Sequence, residues 1–166
     1  MIKGYITNLG KYNEGFLIGK WIDFPITEEE LEKVYEEIGI NEEYEEIFFT
    51  DWETEIGLDL GEYESIEAIN ELAEELGRLD TYDIEKLEAI MEANGDSVTE
   101  ALNQLDDAVY YPGYNMVEVA EEIVNEYYGF KNVDDILFRY FDYESFARDL
   151  RFDGYTETST GVIYTC

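Results

Sequence analysis

Thr27–Glu46 reads TEEELEKVYEEIGINEEYEE, ten carboxylates against the single base Lys33. Its apolar residues Leu31, Val34, Tyr35 and Ile38 fall at i, i+3, i+4 and i+7, the spacing of one stripe on an amphipathic helix. Thr27 is placed to cap the start, with Glu30 closing a capping box, and Gly39 to end it. Glu28, Glu29, Glu32, Glu36 and Glu37 then point away from the core. Side chains three or four positions apart on a helix lie about 5–6 Å from one another, so these form a close ladder of negative charge. Glu42, Glu43 and Glu45 extend it past the helix. A charged helix face is ordinarily just a solvated face.

The bias does not stop there. From Glu28 to Asp135 the basic residues are Lys33, Arg78, Lys86 and Lys131 alone, and the whole chain of 166 residues carries a formal net charge of −32. Ordinary surfaces mix the two signs, and such self-repulsion opposes the compact state. Acidic chains are often disordered, but 45% hydrophobic residues with 15 Tyr, 9 Phe and 2 Trp are enough to build cores. Salt adaptation also produces acidic proteins; the Ile-, Tyr- and Phe-rich pattern speaks against it. The sequence contains neither an apolar run near membrane length nor a basic-then-apolar leader, so a soluble, unsecreted protein is expected. Cys166, the one cysteine, has no internal disulfide partner, which fits a reducing cytoplasm.

Working outward from the acidic helix, Ile2–Leu9 and Phe16–Phe24 read as strands around a loop, Gly10–Gly15, with Pro25 ending the second. A further strand at Ile47–Thr50 completes a three-stranded sheet that buries Ile6, Ile18, Ile22 and Phe48 with Leu31 and Ile38. Residues 1–61 are thus expected as a first lobe. Residues 62–105 read as a small helical lobe of three helices capped by Ser65, Asp83 and Ser97. Its outer faces carry Glu67, Glu71, Glu74, Glu75, Glu85, Glu88 and Glu92. Residues 106–166 read as an α+β lobe: a strand at Ala108–Tyr111, a helix after Asn115, helical stretches over Val133–Phe141 and Asp142–Leu150, and a hairpin over Tyr155–Tyr164. The expected fold class is α+β in three lobes, with small α/β lobes at both ends. Val117, Val124 and Tyr128, with Tyr110 and Tyr111 nearby, widen the apolar face of the helix after Asn115. They serve either a two-fold interface or simple core packing.

Nothing in the sequence supports catalysis specifically. Without histidine there is no Ser-His or Cys-His nucleophile and no His-ligated metal. With 42 acidic residues, paired carboxylates occur at every spacing by chance, so a glycosidase reading carries little weight. No phosphate-binding glycine motif is present, and Asn94-Gly95-Asp96 lacks the spaced acids of a calcium loop. No cofactor and no metal are expected. The surface repels nucleic acid and attracts what nucleic acid attracts. A net charge of −32 equals that of roughly 16 base pairs of duplex, so the chain could fill a DNA-binding groove as a decoy. The competing reading is an acidic adaptor or chaperone that shields basic DNA-binding proteins.

Three strings resemble the ArdA (alleviation of restriction of DNA) antirestriction family: Tyr5-Ile6-Thr7-Asn8-Leu9-Gly10-Lys11-Tyr12-Asn13-Glu14-Gly15, then Gly19-Lys20-Trp21 with Phe24-Pro25, and Tyr140-Phe141-Asp142-Tyr143-Glu144-Ser145-Phe146-Ala147-Arg148-Asp149-Leu150. The resemblance covers nearly the whole chain. It implies a DNA-mimicking homodimer, carried by mobile elements, that inhibits type I restriction–modification enzymes in the bacterial cytoplasm, with the dimer contact in the C-terminal lobe. The mimicking surface would then comprise the glutamates named above together with Glu121, Glu122, Asp134 and Asp135. Asn8, Gly10, Tyr12 and Asn13 are expected to shape a loop rather than touch a target.

Overall fold

Ile2–Asn8 forms β1, the central strand of an antiparallel sheet in the order β2-β1-β3, with β2 at Gly19–Phe24 and β3 at Ile47–Thr54. The computed structural model describes residues 1–95, 97–126 and 140–165. Tyr128, Asp134, Asp135 and Cys166 lie outside the described residues, as does Asp96. So does the helix expected over Val133–Phe141, apart from Tyr140 and Phe141, which are not helical.

Successive strand residues face opposite sides of a sheet, so Ile2, Gly4 and Ile6 of β1 share one face. Across β3 the register slips between Tyr5 and Ile6: Tyr5 pairs with Asp51 and Ile6 with Phe49, leaving Thr50 as an extra residue. That bulge lets Phe49 and Trp52, three positions apart, pack against each other at 4.2 Å between centroids. Gly4 makes room for them: a Cβ there would stand 2.7 Å from the Trp52 ring and 2.9 Å from that of Phe49. Phe48 is buried on the other face, between Tyr12 and Tyr63.

Helix α2, Glu28–Ile38, closes over the inner face. Thr27 and Glu30 form the expected capping box, and Gly39 ends the helix at φ 77°, a left-handed turn that suits glycine. Val34 and Ile38 enter a core with Ile2, Ile6, Ile22, Phe24 and Phe49. Helix α3, Ile66–Leu76, joins the same core through Ile69, with Leu72, Ala73 and Leu76 beside it. Its Asn70 side chain accepts from the Ile26 N–H (2.7 Å) and donates to the Ile26 carbonyl (2.9 Å).

The expected loop after β1 begins instead with a short helix, α1, Leu9–Asn13. Asn8 caps it, accepting from the Lys11 N–H at 2.9 Å, while its amide donates to the carbonyls of Ile38 (3.1 Å) and Gly39 (3.2 Å). This fully buried side chain therefore joins the start of α1 to the end of α2. The second strand begins later than expected, at Gly19, and Ile18 is exposed instead of buried.

A second antiparallel sheet, in the order β4-β6-β5, consists of β4 (Val109–Pro112), β5 (Tyr155–Glu157) and β6 (Gly161–Tyr164). Pro112 is tolerated because β4 is an edge strand. Helices α6 (Met116–Glu126) and α7 (Tyr143–Leu150) bury Met116, Val119, Ala120, Ile123, Ala147 and Leu150 against Val162. The neighbouring Ile163, on the opposite face, is also fully buried, and α4 (Thr81–Asn94) packs against β4 and β6. Helix α5, Val98–Gln104, follows with Ser97 and Glu100 in a capping box. Helix α4 starts at Thr81, ahead of the expected cap Asp83.

The class is α+β. The chain divides into two compact units, Met1–Asp80 and Thr81–Cys166. The stretch 62–105, expected as a lobe of its own, is shared: α3 lies in the first unit, α4 and α5 in the second. Local periodicity identified its helices, but which core each one completes depends on distant residues.

Replacing Asn8 by Ala removes a cap and leaves the buried Ile38 carbonyl short of a donor, so Asn8→Ala is expected to cost about 3 kcal/mol in urea unfolding.

Candidate functional site

Among the described residues no group of three or more His, Cys, Asp or Glu side chains could hold a metal ion. An open hollow of about 340 Å³ between β2 and α2 is lined by Asp23, Glu30 and Glu37 among others. Each of these is engaged, Asp23 with Lys3 at 3.0 Å, Glu30 with Thr27, and Glu37 with Lys20. The hollow thus holds no free carboxylate pair.

What the helices display is rows. On α2, Glu28, Glu32 and Glu36 recur every fourth residue; all three are exposed, and none pairs with a cation among the described residues. Glu29 and Glu37, also exposed, are partly offset by Lys33 at 2.7 Å and by Lys20 respectively. Helix α3 repeats the arrangement with Glu67, Glu71 and Glu75, exposed and without a described counter-ion, while Glu74 pairs with Arg78 at 3.2 Å. Both rows exist because α2 and α3 each turn one apolar stripe into the same core and leave the opposite arc to solvent. Glu42, Glu43 and Glu45 stand exposed on the connection to β3. There the Asn41 side chain accepts from the N–H groups of Glu43 (2.8 Å) and Tyr44 (3.2 Å) and holds the turn.

In the second unit Glu121 is exposed, whereas Glu85, Glu88 and Glu122 are half-buried. Glu92 is exposed but committed: its carboxylate accepts from the Ser159 hydroxyl at 2.7 Å and from the Ser159 N–H at 2.9 and 3.0 Å. It pins the β5–β6 turn to α4. These bonds, the hydroxyl first and then the N–H, hold the Glu92 carboxyl below its ordinary value. Of the candidate interface residues, Tyr110 and Val124 are buried within the chain itself, 5% and 1% exposed. Tyr111 and Val117 are half-buried against the core of α6 and α7.

By sequence alone the acids form one pool, and the structure separates them. Glu30, Glu100, Glu118 and Asp142 bond backbone N–H groups at helix starts, where a negative charge is favoured. Asp51 and Glu53, alternate residues on β3, form a further exposed acidic row that the reading left out. Period-two spacing was the available signal, obscured by the bulge just before it.

This α+β protein thus presents rows of exposed carboxylates, without a described counter-ion, on the outer arcs of α2 and α3. The chain belongs to the ArdA family of antirestriction proteins, whose family model matches residues 4–164. Membership defines it as an antirestriction protein and an inhibitor, and identifies restriction enzymes as its partners at that level. No curated protein matches the chain. Among the described residues no helix is long and apolar enough to cross a membrane.

Because the Glu92 pKa is depressed in the folded state, its stabilising contribution is complete above the unfolded value and is lost as pH falls through the lower folded one. Glu92→Gln is therefore expected to melt below the parent at neutral pH, and the two melting curves should converge in acid below the ordinary carboxylate range.

Proposed function

We propose that this antirestriction protein acts as a DNA mimic, occupying the DNA-binding groove of a type I restriction–modification enzyme as a homodimer. The observation that carries the reading is the row of carboxylates on α2. An 11-residue helix is about 16 Å long, and Glu28, Glu29, Glu32, Glu36 and Glu37 place one carboxylate per about 3 Å along it. One strand of duplex DNA carries a charge every 3.4 Å of axis. Lys33 and Lys20 trim the match, and α3 adds a second row with its own spacing. Family membership supports the target class, and a net charge of −32 supports the electrostatic character of the contact.

Affinity of this kind comes from charge complementarity and counter-ion release. The surface is distributed: Glu28, Glu29, Glu32, Glu36, Glu37, Glu42, Glu43, Glu45, Glu67, Glu71, Glu74, Glu75 and Glu121 are its exposed members. Glu85, Glu88 and Glu122 contribute less, being half-buried. Glu92 is occupied by Ser159. The dimer contact belongs to the second unit and uses residues other than the covered Tyr110 and Val124.

Binding to the DNA-specificity and modification core of a type I enzyme is expected to weaken at least about a thousandfold between about 50 and 200 mM salt, and duplex DNA should compete. A flat salt dependence, or an equal preference for any basic protein, overturns the reading. Glu32→Lys alone should cost about tenfold or less, whereas Glu28→Lys, Glu32→Lys and Glu36→Lys together should cost far more than any one of them.

A further inference from the structure

The N-terminal hairpin departs from the rest of the molecule in charge and in polarity. Residues 1–26 hold Lys3, Lys11 and Lys20 against Glu14 and Asp23, in a chain that is otherwise strongly acidic. All three lysines are paired, Lys3 with Asp23 at 3.0 Å, Lys11 with Glu14 at 3.0 Å, and Lys20 with Glu37 of α2. The hairpin end is close to neutral, and its tip is apolar: Phe16 is 59% exposed, Leu17 63%, Ile18 38% and the adjoining Trp21 39%.

This tip is built, not frayed. Gly15 turns at φ 92°, the Phe16 N–H donates to the Lys11 carbonyl at 2.9 Å, and the Ile18 carbonyl accepts from the buried Asn8 at 2.9 Å. Trp21 stands edge-on to Tyr5 at 5.4 Å. Side chains held on an ordered backbone lose less freedom when a partner covers them. Nothing in DNA mimicry calls for them, because a phosphate-binding surface offers Lys and Arg rather than an apolar hollow.

We propose that Phe16, Leu17 and Ile18 form an apolar anchor that enters an uncharged hollow on the same restriction enzyme, at the border of its basic DNA groove. The inference rests on the DNA-mimic reading. Charge selects the occupant. The Lys20–Glu37 pair ties the hairpin to α2, and Asn8 donates both to the Ile18 carbonyl and to the carbonyls of Ile38 and Gly39 that end α2, so the tip lies beside the last turn of the carboxylate row. A second copy would bring a second such row against the first and be repelled. A protein with an apolar hollow beside a basic groove matches both parts.

The test is the variant Phe16→Ser/Leu17→Ser/Ile18→Ser, titrated against the modification core of a type I enzyme over a range of salt. The expected result is about tenfold or more weaker binding at every salt concentration, with the slope of log Kd against log salt equal to that of the parent. Unchanged affinity overturns the anchor, and so does a changed slope, which would make the contact electrostatic. Parent protein that associates further through the tip, with the variant losing that association and keeping its enzyme affinity, overturns it in favour of a second copy. Leu17→Ser, at the most exposed of the three positions, carries the same test at about threefold should the triple variant melt early. The mimic reading stands or falls separately, on the parent protein's own salt slope and its competition with DNA.

Discussion

Mutual repulsion among 42 acidic residues, offset by ten basic ones, opposes every compact state open to this chain, and each unit of the fold has to withstand it. Two devices do so. Apolar cores built from Ile, Val, Phe and Met side chains supply the cohesion, one under α2 and α3 and one under α6 and α7. Capping carboxylates supply the second, because Glu30, Glu100, Glu118 and Asp142 meet backbone N–H groups at helix starts that would otherwise lack partners. Acidity is thus partly put to use in folding, and the remainder is left on the outer arcs of the helices.

That remainder is held in place by polar contacts drawn from neutral side chains. Asn8 grips the end of α2 from beneath, and Asn70 locks α3 to the chain entering α2 through a two-way amide pair at Ile26. Neither contact is an ion pair, so neither is screened by salt. The bulge at Thr50 and the missing side chain at Gly4 serve the same end, since they let Phe49 and Trp52 fill the sheet face beneath the helices.

Helix α2 could be read in full before the structure: stripe, cap, capping box, stop and outward acids all depend on neighbours within a few positions, and all are present. The hairpin over Tyr155–Tyr164 was legible for the same reason. Helix α1 was not, because the side chain that starts it, Asn8, reads as part of a strand until its bonds to Ile38 and Gly39 are known. Ile18 was assigned inward by strand alternation that begins only at Gly19. Glu92 looked like one more surface acid, and its partner Ser159 lies 67 positions away. Val124 and Tyr110 widen an apolar face by spacing alone, and the fold buries both within the chain.

Composition and short-range spacing alone established the sign and size of the charge, the α+β class and which helical arcs face water, because these follow from residue identity and from periods of two and 3.6. Tertiary structure alone decided which carboxylates keep their charge uncompensated and which apolar residues stay exposed at the hairpin tip. Counter-ions, caps and covering side chains come from residues distant in the chain, and only folding brings them within the few ångströms over which a hydrogen bond or an ion pair acts.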